Sequence, residues 1–123
     1  MRVLAIDDSR TIRDLVELTL AREGFDAALA DDGEHGLEVL GDMSPRPDAI
    51  LTDINMPRLD GLGFIRKVRD MPDYDGIPIL VLTTESAREL RHKAREAGAT
   101  GWIVKPFDPA RLVGALRTVT GLQ

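Results

Sequence analysis

Four places in this chain put side chains with chemical potential directly after a short apolar run. Asp7 and Asp8 follow Val3–Ile6. Asp53 follows Ala49–Leu51 and Thr52. Thr83 and Thr84 follow Ile79–Leu82, and Lys105-Pro106 follows Trp102–Val104. If the runs are parallel strands, these residues converge on one edge of a sheet. In an open parallel sheet, that edge, beyond the carboxyl ends of the strands, is where ligands bind. Three carboxylates held together repel one another, and one lysine leaves an excess of two negative charges. A divalent cation would neutralise them. All-oxygen ligands with retained waters suit Mg²⁺ better than a full Ca²⁺ cage. Carboxylate, lysine, hydroxyl and Mg²⁺ together make a phosphoryl-transfer site: metal and lysine offset charge on the phosphoryl oxygens, and the hydroxyl donates to one of them.

The rest of the chain has to build the strands and connect them. The apolar runs are continuous rather than alternating, as in strands covered on both faces. A weaker run, Phe25–Ala30, lies between the first and second. Helical spacing separates the runs. Ile12, Leu15, Val16 and Leu20 form one apolar face, stopped by Gly24; Leu37 and Leu40 form a second, weakened by Gly33 and Gly36. Leu62, Ile65 and Val68 give a third, and Leu90, Ala94 and Ala97 a fourth, with Ser86 expected as its N-cap and Gly98 as its stop. Leu112, Leu116 and Val119 give a fifth, opened by Asp108 with Pro109 at the first helical position. Five strand–helix units with right-handed crossovers predict an α/β fold: a doubly wound five-stranded parallel sheet with five helices on its two faces.

Composition removes several classes of function. The 123 residues suit one compact domain, read as 1–123 with no effector domain. Sixteen basic against 21 acidic residues give a net charge of −5, which argues against a nucleic-acid binder. There is no cysteine, so no disulfide framework, thiolate metal site or cysteine nucleophile. Two histidines, His35 and His92, do not make a multi-histidine metal site. The longest apolar stretch, Ile77–Leu82, falls far short of the ~20 residues a membrane span needs. A cytoplasmic protein that does not contact membrane is expected.

Asp7-Asp8, the stretch Asp53-Ile54-Asn55-Met56-Pro57-Arg58-Leu59-Asp60-Gly61, Thr83 and Lys105-Pro106-Phe107 resemble the receiver domain of bacterial two-component response regulators. The resemblance covers the whole chain, and the stand-alone chemotaxis (CheY) type is the nearest. It implies the flavodoxin-like strand order 2-1-3-4-5. It implies that Asp53 is the phosphoacceptor for a histidine kinase. Mg²⁺ would be held by Asp8 and Asp53, by Asp7 mostly through water, and by the backbone carbonyl of Asn55. Lys105 would pair with the phosphoryl group across a cis Lys105–Pro106 bond, and Thr83 would swing its hydroxyl onto that group. Trp102 stands where a switch aromatic is expected, in place of the more usual tyrosine or phenylalanine. Asn55 and Glu85 would tune the lifetime of the phosphoryl group, and this pair implies fast self-dephosphorylation.

The same resemblance implies a switch rather than a dedicated enzyme, catalysing only its own aspartyl phosphorylation and dephosphorylation. A monomer is expected. The kinase, of chemotaxis type, would dock around Ile12 and Leu15. The output face of the fourth helix, fifth strand and fifth helix would meet the flagellar motor switch protein. Arg91 departs from the enteric pattern there, where an apolar residue is expected. A phosphorelay intermediate or phosphate sink without motor binding is the alternative. A haloacid-dehalogenase-type phosphatase would need Asp-x-Asp after the first strand, where this chain has Asp7-Asp8-Ser9. A nucleotide or flavin binder would need a glycine-rich loop there.

Overall fold

The computed structural model describes residues 1–121. Strands and helices alternate: β1 (Arg2–Ile6), α1 (Arg10–Arg22), β2 (Asp26–Ala30), α2 (Gly33–Asp42), β3 (Ala49–Thr52), α3 (Gly61–Arg69), β4 (Ile79–Thr83), α4 (Arg88–Ala97), β5 (Gly101–Val104) and α5 (Pro109–Thr120). A single 3₁₀ turn, Pro72–Tyr74, precedes β4. All strand pairs are parallel and the order is β2-β1-β3-β4-β5, as expected.

The period-two geometry of strands sorts the core into two layers. Leu4, Ile6, Ile50, Ile79 and Val81 pack with Phe64, Ile65 and Val68 of α3, Leu40 of α2 and Ala94 of α4. Val3, Ala5, Leu51, Leu80, Leu82 and Ile103 pack with Val16 and Leu20 of α1 and Leu112 and Leu116 of α5. The three central strands are therefore apolar on both sides, which explains their unbroken runs.

Helix starts follow local chemistry in four of five cases. The Ser9 hydroxyl accepts from the Ile12 N–H, and Asp32, Asp60 and Asp108 accept from the N–H groups of His35, Gly63 and Ala110. α4 is the exception. Ser86 is not its cap; Ala87 occupies that position, in extended backbone and without a side-chain bond. Ala94 and Ala97 are buried in the core and Leu90 packs against it, which fixes the face α4 presents. Ser86 falls one residue outside. Gly98 ends the helix in the left-handed region, φ 119°.

The glycines of α2 have a tertiary reason that outweighs their poor helix propensity. A β-carbon on Gly33 would collide with the Leu59 carbonyl, whose oxygen accepts from the Gly33 N–H at 3.0 Å. The start of α2 is thereby pressed onto the loop that follows β3.

Candidate functional site

Register decides what meets at the carboxyl edge. Ile6 pairs with Thr52, so Asp7 and Asp53 leave the sheet at the same level on adjacent strands. The Asp53 N–H bonds to the Ile6 carbonyl at 3.0 Å, which continues the ladder one residue further. Thr83 pairs with Val104, and the Lys105 N–H bonds to the Thr83 carbonyl at 2.7 Å. The Lys105–Pro106 peptide is cis, as expected. Gly61 lets α3 begin against this edge, because a β-carbon there would collide with the Asp53 carbonyl oxygen.

The structure brings Asp7, Asp8 and Asp53 together, with a carboxylate oxygen of each within 4.8 Å of the others. The Lys105 ammonium reaches in from β5 and bonds Asp7 Oδ2 at 2.7 Å and Asp53 Oδ2 at 3.0 Å. Its side chain is only 7% exposed. The second oxygens are held by backbone: Asp7 Oδ1 by the Ser9 N–H at 2.9 Å, Asp53 Oδ1 by the Ile54 N–H at 2.7 Å. Asp8 is exposed and accepts no hydrogen bond among the described residues.

Charge follows from this packing. Burial pushes the Asp7 carboxyl above the ordinary aspartate range, against the pull of its bonds to Lys105 and Ser9. Burial also works to lower Lys105, but its bonds to Asp7 and Asp53 outweigh that and hold the ammonium firmly charged. One fixed cation thus faces three carboxylates. A pair of unit charges ~4 Å apart interacts by about 4 kcal/mol at an effective dielectric of ~20. The remaining two negative charges are a large imbalance on that scale. Oxygen donors alone, a net negative charge and a free exposed carboxylate all fit a hard divalent cation.

Thr83 is fully buried at the end of β4. Its oxygen accepts from the Glu85 N–H at 3.3 Å, so its own hydrogen is free to be donated elsewhere. Asn55 and Glu85 are hydrogen-bonded to each other, Nδ2 to Oε1 at 3.3 Å. Trp102 is half-buried, and its indole N–H donates to the Glu85 carbonyl at 3.1 Å. The Arg91 guanidinium lies over the indole ring, 5.8 Å from its centroid. Glu85 therefore bonds to Asn55, Thr83 and Trp102 at once.

The comparisons with known proteins agree with this geometry. The response regulator receiver domain model matches residues 3–117. The chain belongs to that family. It is 37% identical over 123 residues to the chemotaxis protein CheY1 of Helicobacter pylori, covering 98% of each. It superposes on the chemotaxis protein CheY4 of Vibrio cholerae with a TM-score of 0.90 at 42% identity, over 96% of this chain and 97% of that one. The receiver domain of a sensor histidine kinase from Pseudomonas aeruginosa matches with a TM-score of 0.88 at 28% identity, over 98% and 97% of the two chains. A magnesium ion is coordinated in that protein's active-site cleft. The receiver described here is thus of the CheY type, a module of phosphorylation-activated signalling. No helix among its described residues is long and apolar enough to cross a membrane.

Sequence reasoning missed two arginines. Arg13 of α1 donates to the Asp7 carbonyl at 2.7 Å, bracing the first acidic residue from behind. Arg58 forks onto Asp32, Nε to Oδ2 at 2.6 Å and Nη2 to Oδ1 at 3.0 Å. The Arg13 contact spans six residues and the Arg58 contact 26, and neither separation follows a helical or strand period. The only sequence signal was the position of Arg58 inside the Met56–Gly61 turn.

Proposed function

We propose that this receiver accepts a phosphoryl group from a histidine kinase onto Asp53 and reports it through the α4–β5–α5 face. The observation that carries this is the Lys105 ammonium bridging buried Asp7 and Asp53 at 2.7 and 3.0 Å. A surface lysine has no reason to be desolvated between two carboxylates. Asp7, Asp8, Asp53 and the Asn55 backbone carbonyl would hold Mg²⁺. When bound, that ion supplies charge neutralisation at the phosphoryl oxygens.

The chain's own residues do the rest. An Asp53 carboxylate oxygen attacks phosphorus, the O–P bond forms and the P–N bond to the kinase histidine breaks. The imidazole leaves with the electron pair and takes up a proton. Lys105 turns from Asp53 to a phosphoryl oxygen. Thr83 donates its free hydrogen to another, which draws on the Glu85 peptide and so on Trp102. Asn55 and Glu85 flank the path of the hydrolytic water and give a short-lived acyl phosphate. The protein catalyses only its own phosphorylation and dephosphorylation.

Motor-switch binding is the first reading of the output, by likeness to the CheY proteins. A relay intermediate or phosphate sink is the second, favoured by one observation: exposed Arg91 covers Trp102 on the output face. Two measurements test the whole. Asp53→Asn should abolish uptake of label from a phosphorylated kinase or a small acyl phosphate, and retained uptake refutes the acceptor. Titration of a motor-switch N-terminal peptide, with Mg²⁺ and with Mg²⁺ plus beryllofluoride, separates the outputs. Tightening by about tenfold, ~1.4 kcal/mol of coupling, identifies a motor-acting regulator. No binding, with Trp102 fluorescence reporting activation, identifies a relay or sink.

A further inference from the structure

The loop from Asp53 to Gly61 carries the acceptor at one end and opens α3 at the other. The Gly61 N–H bonds to the Ile54 carbonyl at 2.9 Å, and the Gly33 N–H to the Leu59 carbonyl at 3.0 Å. Between these pins, the backbone groups of Asn55 and Met56 make no hydrogen bond among the described residues. The stretch is held instead by side chains: Asn55 Nδ2 donates to Glu85 Oε1 at 3.3 Å, Met56 packs against the core, and Arg58 makes the shortest polar tie. Arg58 has φ 66°, in the left-handed region that residues with a β-carbon seldom occupy. Its guanidinium makes the two-pronged bond to Asp32 and lies 3.6 Å from Glu34. Asp32 is buried, 4% exposed, and Oδ1 also caps α2 through the His35 N–H at 2.9 Å. α2 in turn follows β2, whose Ala30 carbonyl accepts from the Asp7 N–H at 3.1 Å. The fork thus ties the acceptor loop, where its backbone groups are unbonded, to a frame that also fixes Asp7. Planar bidentate pairs of this kind set geometry as well as adding energy.

We propose that the Arg58–Asp32 fork is a positioning device for the metal site: it fixes the loop that presents the Asn55 carbonyl, and so sets the affinity for Mg²⁺. This rests on the assignment of Mg²⁺ to the acidic edge. Neither residue touches the metal or the phosphoryl group. Simple field effects predict the opposite result for one partner. Removing a cation near a cation site tightens binding, whereas removing the Arg58 fork loosens the loop and weakens it.

Calorimetric titration of Mg²⁺ into the wild type, Arg58→Asn, Asp32→Asn and the double variant tests this. Asparagine tolerates the left-handed backbone at 58 and still caps a helix at 32, so both variants keep local structure and lose only the fork. Each single variant should bind Mg²⁺ about threefold or more weakly, and the double variant no more weakly than the weaker single, because one interaction is removed in all three. Arg58→Asn binding Mg²⁺ as tightly as the wild type, or more tightly, overturns the proposal. So do losses that multiply in the double variant. Melting temperatures without metal supply the structural readout. A fork that serves only the α2 terminus lowers them and leaves the Mg²⁺ affinity unchanged, which also overturns it. A wild type that binds no Mg²⁺ overturns the metal assignment along with the fork, whereas normal wild-type binding with unchanged variants overturns the fork alone.

Discussion

The acidic edge and the α4 face differ in how firmly their side chains are held. At the edge, Asp7, Asp53 and Lys105 are buried, each is bonded at least twice, and strand register sets their level. On α4, Arg88, Arg91, His92, Lys93 and Arg95 are all exposed. That helix starts without a side-chain cap and buries only Ala94 and Ala97 fully. The two regions meet at Glu85, whose N–H and carbonyl serve Thr83 and Trp102 respectively. The contrast shows how a switch can be divided. Under the proposed function, the place that receives the signal is held firmly by burial and hydrogen bonds, and the place that would display it is held by fewer.

The largest test of that division is a pair of lysines. Lys105→Met should slow phosphoryl uptake from a small acyl phosphate by about 10²-fold, because it removes a preorganised charge from a dry site. Lys93→Met, on exposed α4, should leave the rate within about twofold, since exposed charges are screened. Similar losses in both, measured by the same assay, would dissolve the distinction between the regions.

Two glycines ask the same question of stability. Gly61→Ala drives a β-carbon into the Asp53 carbonyl and should cost about 2 kcal/mol, read by urea unfolding. Gly114→Ala, exposed in α5, meets open space and should stabilise by about 0.5–1 kcal/mol. Next in size is a cap for α4. Ala87→Ser places a hydroxyl at the empty position and should add about 0.5–1 kcal/mol. If weak anchoring of α4 matters to the readout, this variant should also show a smaller Trp102 fluorescence change with beryllofluoride.

The same contrast explains what could be seen in the sequence. Strand ends were legible because burial on both faces writes continuous apolar runs, and the reactive residues follow them directly. The cap Asp108 was legible because capping is local. Ser86 misled by one residue, because the apolar spacing of Leu90, Ala94 and Ala97 fixes the face of α4 and not its first residue. Gly33 and Gly36 read as weak helix residues, although Leu59 and Ile6 leave no room for larger ones. Arg58 and Asp32 lie 26 residues apart, and a side-chain pair at that separation leaves no periodic trace. The partner of the Trp102 indole N–H was similarly out of reach, being a backbone carbonyl.

The smallest expected effect concerns Asp7, and its sign is distinctive. Burial raises its carboxyl above the ordinary range, so in metal-free buffer the folded protein holds this proton more tightly than the unfolded chain. Between the unfolded and the folded pKa, the native state binds more protons, and stability falls as pH rises through that window. Lowering the pH through that window should therefore raise the melting temperature slightly, against the trend of ordinary paired carboxylates. Asp7→Asn removes the titrating group and should flatten that part of the curve. Saturating Mg²⁺ should flatten it too, because a cation beside Asp7 favours the ionised form that burial opposes. A slope that persists unchanged in Asp7→Asn would place the raised carboxyl elsewhere, and one that steepens with Mg²⁺ would show that the ion does not bind at this edge.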